Sequence, residues 1–251
     1  MPDFSAPTQR LDLELVRRKM VKSRARAQDH IKNGHVFVDD VPTTKMTRKV
    51  SQDIPITINA PEMDWVGRGA LKLLAALEYF EINPAGSIAA DIGASTGGFC
   101  QVLLQHDAQK IYAVDVGHGQ LDPLIANDKR VINLEKTNAR ILSSALIADP
   151  LDLVVSDVSF ISLKLALPPA LKLCRNGAHL LALVKPQFEV GKGNVGKGGI
   201  VRDPELVRSV PLEMTNWINS LAGWQALGTV ESPIEGSDGN TEFLLGAKYA
   251  P

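Results

Sequence analysis

Ser87-Ile88-Ala89-Ala90-Asp91-Ile92-Gly93-Ala94-Ser95-Thr96-Gly97-Gly98-Phe99 decides the fold of this chain. Residues 87–92 form an apolar run of strand length. The glycines that follow free the backbone from side-chain sterics, and a helical apolar pattern begins at 98 and runs to 106. Strand, glycine-rich turn and helix in that order open a βαβ unit, in which the turn lets a ligand approach the backbone closely. The pattern recurs outward. It predicts strands at 110–114, 130–134, 152–156, 179–184, 225–230 and 243–248, and helices near 69–80, 163–174 and 203–221. Such alternation implies a doubly wound α/β sheet whose ligand site lies beyond the carboxyl ends of the strands.

Composition narrows the class. The 251 residues are 45% apolar and 22% charged, enough for one large or two smaller globular domains. Glycine and proline are near average usage and no stretch approaches eighteen consecutive apolar residues, which excludes collagen-like, disordered and membrane-spanning chains. Cys100 and Cys174 lack the paired spacing of a zinc site or a disulfide framework, so buried reduced thiols are expected. The five histidines form no ligand-spaced cluster, and no metal is expected. Met1-Pro2-Asp3 opens without a basic start or an apolar signal segment, so a cytoplasmic protein is expected.

The net charge of −1 conceals a polarised molecule. Residues 1–60 carry 11 Lys/Arg against 7 Asp/Glu, and 61–251 carry 16 against 21. Arg17, Arg18, Lys19, Lys22, Arg24 and Arg26 follow one another with no acid among them. That run suits a phosphate backbone, although a solvated helix face has the same composition. Around it the sequence predicts two helices, the second ending at Asn33-Gly34. A strand at 36–38, a turn at Asp39-Asp40 and a half-buried strand carrying Ile54, Ile56 and Ile58 come next.

In the second part Asp115, ending the strand after the glycine loop, is placed to accept hydrogen bonds from the ribose hydroxyls of a nucleoside cofactor. Gly93-x-x-x-Gly97-Gly98 is not G-x-G-x-x-G and offers no evident pyrophosphate cradle, which favours S-adenosylmethionine over NAD. Its contacts are expected from Asp91, Gly93, Ala94, Ser95, Gly97, Gly98, Phe99, Asp115 and Asp157. The segment Gly191-Lys192-Gly193-Asn194-Val195-Gly196-Lys197-Gly198 invites a P-loop reading, but Gly198 stands where a Mg²⁺-binding Ser or Thr is required. A glycine- and lysine-rich flap over substrate is expected instead.

Four ionisable residues sit at the mouths of separate elements: Lys72, Asp157 in Ser156-Asp157-Val158-Ser159-Phe160, Lys185 in Lys185-Pro186-Gln187-Phe188, and Glu242 in Gly239-Asn240-Thr241-Glu242-Phe243. Together they resemble the Lys-Asp-Lys-Glu tetrad of FtsJ-type 2′-O-ribose methyltransferases. A ribose hydroxyl is a poor nucleophile, so a group that takes its proton and holds the oxygen in line assists transfer. Lys185 is the candidate base, with full abstraction of the proton and mere steering of the hydroxyl both left open by the sequence. A base must be neutral when it acts, and neighbouring anions oppose this, so Asp157 and Glu242 are assigned to orienting the lysines.

Arg10-Leu11-Asp12, the run 21–27, Ile31-Lys32-Asn33-Gly34 and Val36-Phe37-Val38 resemble an S4 domain. With the motifs of the second part, the whole chain resembles the TlyA family, often labelled hemolysin A. The resemblance implies an α/β, Rossmann-like S-adenosylmethionine-dependent methyltransferase sheet with a small N-terminal α+β S4-like RNA-binding domain. Its parts would be an S4-like unit at 8–61, a linker at 62–68 and an FtsJ-like domain at 69–251. It further implies 2′-O-methylation of cytidine in ribosomal RNA, with the ribosomal subunit as partner and no membrane. The short C-terminus looks like the subtype acting on the large subunit alone, but length discriminates poorly and activity on the small subunit as well stays open. RNA contacts are expected from Arg10, Arg17, Arg18, Lys19, Lys22, Arg24, Arg26 and Arg68, and base stacking from Trp65, Phe160 or Phe188. Three rivals stand beside this reading: a membrane-acting toxin, a non-catalytic RNA-binding assembly factor, and a base methyltransferase.

Overall fold

The computed structural model describes residues 8–21, 24–59, 65–196, 198–236 and 239–251, apart from the side chains of residues 25, 26, 29 and 192. The chain divides into two compact units, Met1–Asp64 and Trp65–Pro251. Residues 65–68, expected to be linker, therefore belong to the second unit.

In the first unit β1 (Thr8–Arg10) runs into α1 (Leu11–Arg17), followed by α2 (Arg24–Lys32), β2 (Val36–Val38), β3 (Val41–Pro42), β4 (Lys49–Ser51) and β5 (Ile56–Ile58). Leu11, Leu15, Ala27 and Ile31 from the helices close on Val36, Val38, Val50 and Ile56. Gly34, with φ of 71°, stops α2 as the glycine after a helix end does. Asp39 and Asp40 both have positive φ, the geometry of a two-residue turn that matches strand twist, and they join β2 to β3. The strand order is β3-β2-β5, and a separate ladder pairs β1 with β4. That ladder was not expected, because Thr8-Gln9-Arg10 carries no alternation to reveal it. Ile54 lies outside β5.

The second unit begins with α3 (Gly69–Tyr79) and continues through β6 (Ile88–Ile92), α4 (Gly98–Gln105), β7 (Lys110–Val114), α5 (Pro123–Ala126), β8 (Val131–Leu134) and β9 (Leu151–Ser156). After these come α6 (Leu163–Ala166), α7 (Pro168–Leu171), β10 (Cys174–Val184), α8 (Pro186–Glu189), α9 (Pro204–Ser220), β11 (Trp224–Glu231) and β12 (Phe243–Tyr249). The seven strands lie in the order β11-β12-β10-β9-β6-β7-β8. From β10 to β8 they are parallel, whereas β12 runs antiparallel to both β10 and β11.

Successive strand residues point to opposite faces, and both faces are covered. Ala90, Ile92, Val154, Leu180 and Ala182 share one core with residues of α6, α7 and α9. Ala89, Leu153, Val155, Leu181 and Leu183 share the other with α3 and α4. Each fully buried Leu, Ile or Val contributes roughly 1.5–3 kcal/mol relative to exposure.

Two sequence expectations are corrected. The single helix at 163–174 is split because Pro168 and Pro169 lack the N–H groups that a continuous helix needs; they start α7 instead, where those donors are spare. β10 begins at Cys174 rather than 179, with its register against β9 interrupted between Cys174 and His179. Among the described residues, no helix is long and apolar enough to cross a membrane.

Candidate active site

Strand register builds the site. In the sheet, β12, β10, β9 and β6 are consecutive neighbours, so residues at the adjoining ends of these strands meet. Ile92 is level with Ser156, which places the glycine loop beside Asp157. Val184 pairs with Phe243 across the antiparallel ladder, which sets Lys185 beside Glu242. Lys72 approaches from α3, which buries Ala70, Leu73, Ala76 and Leu77.

The four side chains form two ion pairs on the wall of one cavity of about 280 Å³, near the lower end of the ~300–1,000 Å³ typical of ligand pockets. Lys72 Nζ donates to Glu242 Oε2 at 2.5 Å, and both residues are buried. Lys185 Nζ lies 2.6 Å from Asp157 Oδ1 and donates to Ser159 Oγ at 2.9 Å. The ammonium of Lys185 thus occupies Asp157 Oδ1 and ties the two side chains together on the cavity wall.

The loop after β6 lines the same cavity through Gly93, Ala94, Ser95, Gly98 and Phe99. Gly93 N and Ala94 N both donate to Val114 O, and Gly97 N closes the loop on Ala94 O at 2.8 Å. Gly97 has φ of 92°, and a Cβ there would come 2.9 Å from Leu121 Cδ1, so neither conformation nor space admits a side chain. Asp91, Gly97 and Asp115, expected to touch a cofactor, do not line the cavity. Asp115 instead accepts from Ser95 N at 2.8 Å and Gly117 N at 2.7 Å, fixing the loop from outside. A carboxylate accepts about four hydrogen bonds, which leaves Asp115 capacity for a ligand.

Asp91 lies wholly buried beneath the loop. Cys100 Sγ donates to its Oδ2 at 3.1 Å, and its Oδ1 has no partner. Burial, reinforced by the nearby Asp157 and Asp115 and eased by Cys100, raises its carboxyl to about 7. Between about pH 4 and 7 the native carboxyl keeps a proton that the unfolded chain has released, so this group lowers stability as pH rises through that window. Asp91→Asn should accordingly unfold at a temperature that gains on the parent's steadily from pH 4 to 7 and no further above it. Calorimetry across that range measures the difference.

The cavity also exposes residues that the sequence reading passed over. Gly67, Gly69, Thr96 and Ser159 line it with Arg68. Ser159 was legible as the second serine of Ser-Asp-Val-Ser-Phe; Gly67 and Gly69 carried no signal, since only the docking of α3 brings them here. Phe160 is 90% exposed with φ of 66°, and its ring centroid lies 5.3 Å from that of Phe188.

In the first unit the basic run divides. Arg10 and Arg24 both bind Asp12, and Arg17 and Arg18 bind Glu14, each carboxylate having no exposed surface. Arg18 also donates to the backbone carbonyls of Ser51, Gln52 and Ile54. Burial raises Asp12, but hydrogen bonds from Arg10, Gln28 and Arg24 outweigh it and bring the carboxyl to about 2. Arg17 does the same for Glu14 against burial, helped by Arg18 and Gln9. Lys22 and the side chain of Arg26 fall outside the described residues.

The strand order, the glycine loop at the end of β6 and the polar cavity beside it define a methyltransferase fold of the α/β class. Residues 65–249 match FtsJ-like methyltransferases, and residues 9–51 match the S4 domain. The chain belongs to the FtsJ-like methyltransferase family, in the branch of the TlyA proteins. It is 46% identical over 94% of its length to the 16S/23S rRNA (cytidine-2′-O)-methyltransferase TlyA of Mycobacterium tuberculosis, covering 88% of that protein. It is 36% identical over 72% of its length to the 23S rRNA (cytidine-2′-O)-methyltransferase TlyA of Campylobacter jejuni, covering 69% of it. A solved structure from Streptococcus thermophilus that carries a hemolysin name is similar over 98% of this chain and 90% of its own, at 34% identity and a TM-score of 0.76.

Proposed function

We propose that the protein methylates the 2′-hydroxyl of a cytidine in ribosomal RNA, with S-adenosylmethionine as methyl donor. One observation carries the reading: two lysine–carboxylate pairs from four separate sequence regions line a single cavity together with a glycine loop. The names of the M. tuberculosis and C. jejuni relatives support the substrate. Both include large-subunit RNA, which is the substrate assigned here; mapping ribose methylation in both subunits tests the small one. The work belongs in the cytoplasm, where that RNA is.

The close backbone of 93–98 and the carboxylate of Asp157 on the same cavity wall fit a cofactor with a nucleoside and an amine. When bound, S-adenosylmethionine supplies an electrophilic methyl carbon on a sulfonium. Gly93, Ala94 and Ser95 would hold it along the loop, Asp115 would accept from its ribose, and Asp157 would take its amine. Lys185 Nζ, already directed by Asp157 and Ser159, holds the substrate oxygen in line and, after releasing its own proton to solvent, receives the proton of the hydroxyl. Glu242 keeps Lys72 in place beside it. Phe160, with Phe188 behind it, offers an exposed ring on which an extruded base can stack, whereas Trp65 is partly buried against the core that α3 and α4 share.

Asp115→Ala should weaken S-adenosylmethionine binding roughly tenfold to a hundredfold, since two loop amides and the ribose lose a charged acceptor. Titration calorimetry reads this directly. The activity test is transfer of labelled methyl from S-adenosylmethionine to unmodified ribosomal subunits, followed by alkaline hydrolysis. A blocked 2′-oxygen makes the bond after the target cytidine resistant. Tight RNA binding without transfer would make the protein an assembly factor instead, and an alkali-sensitive bond would make it a base methyltransferase. Leakage of lipid vesicles would revive the toxin.

A further inference from the structure

A carboxylate on a short helix is ordinarily exposed, and is fully buried only when it is paired. Asp12 is such a buried group, with a relative exposure of 0%. Its Oδ1 accepts from Arg10 Nε at 2.9 Å and from Leu13 N at 3.1 Å. Its Oδ2 accepts from Arg10 Nη2 at 2.9 Å, Arg24 Nε at 2.9 Å and Gln28 Nε2 at 3.0 Å. Arg10 comes from β1 and Arg24 from the start of α2, so one buried carboxylate ties two elements together.

Both guanidinium groups bind the same oxygen, which brings these like charges close together. Their mutual repulsion would separate them without the anion between. Each nevertheless keeps much of its side chain in solvent, 38% for Arg10 and 51% for Arg24. Arg18 differs: its guanidinium is taken up by Glu14 and three backbone carbonyls, with only 20% of the side chain exposed. Arg18 braces the unit, whereas Arg10 and Arg24 present a fixed pair outward.

We propose that Asp12 is a positioning residue for RNA binding: it holds Arg10 and Arg24 as a preformed fork for one backbone phosphate. This rests on the RNA reading of the first unit. Two planar, pre-oriented donor groups match the oxygens of a phosphate, and holding them in advance spares the entropy of arranging them on contact.

The test turns on a paradox of charge. Asp12→Asn removes a negative charge from a surface that binds a polyanion, so simple electrostatics expects tighter binding. The fork requires weaker binding. Affinity of the full chain for unmodified large ribosomal subunits, measured across potassium chloride concentrations, should fall about tenfold. The slope of log affinity against log salt should flatten by about one unit. In an Arg10→Gln/Arg24→Gln background, Asp12→Asn should add nothing further, a non-additivity that general loosening of the unit would not produce. Should Asp12→Asn unfold the unit in calorimetry, Arg24→Lys carries the test, because it keeps the charge and loses the Nε contact; a several-fold loss of affinity is expected.

Parent-like or tighter binding by a folded Asp12→Asn, additive losses in the cycle, or parent-like binding by Arg24→Lys would each overturn the proposal. If the Arg10→Gln/Arg24→Gln protein itself binds subunits as the parent does, the RNA reading of these arginines fails and the proposal falls with it. If that double variant binds weakly and Asp12→Asn does not, only the proposal fails.

Discussion

Lys185→Ala abolishes methyl transfer, lowering kcat by about 10²–10⁴-fold, the range expected when a positioned proton acceptor is lost. Lys185 Nζ contacts Asp157 and Ser159 at the cavity wall, and alanine leaves the substrate hydroxyl with nothing to direct it or take its proton. S-adenosylmethionine affinity should stay within a few-fold of the parent's, because the loop at 93–98 and Asp115 keep their own hydrogen bonds. Single-turnover transfer together with titration calorimetry separates the two effects. Undiminished transfer would remove Lys185 from the mechanism.

Glu242→Ala has its larger effect on the fold. Lys72 and Glu242 are 7% and 3% exposed, so the variant leaves an ammonium inside the protein without its partner. Breaking a buried pair from one side costs about 3–5 kcal/mol. For a unit of this size that lowers the unfolding temperature by roughly 10 °C. Replacing both residues, Lys72→Met with Glu242→Leu, should restore much of that loss without restoring transfer. If calorimetry finds the single variant as stable as the parent, the pair does not hold α3 against the start of β12.

The strands were legible because a parallel sheet covered on both faces writes itself as short continuous apolar runs. Leu151-Asp152-Leu153-Val154-Val155-Ser156 is such a run, and β9 occupies it. Of the four charged residues of the candidate site, Asp157 and Lys185 each follow an apolar strand, whereas Lys72 within α3 and Glu242 ahead of β12 were singled out through the resemblance to the FtsJ tetrad. What sequence hides is direction and register. Nothing in Phe243–Tyr249 says that it runs antiparallel to β10, yet that register is what sets Glu242 by Lys185. The fate of the basic run was equally hidden: its composition treats Arg18 and Arg24 alike, and only tertiary partners separate a brace from an outward-facing donor. Asp91 and Asp115 were located as loop-end acids, but whether a carboxylate faces a cavity or supports the loop around it depends on side-chain direction, which spacing does not encode.

β12 follows β11 in the chain but lies inside it in the sheet, between β11 and β10. The two pair along most of their length as a local hairpin, which can form before it meets the rest of the sheet. Its attachment to β10 through the register from His179↔Lys248 to Val184↔Phe243 also delivers the last carboxylate of the site. The site is therefore complete only when this hairpin is seated on β10. In pulse-labelled refolding, catalytic competence should emerge together with protection of the β10 and β12 amides, while a central sheet already formed remains inert.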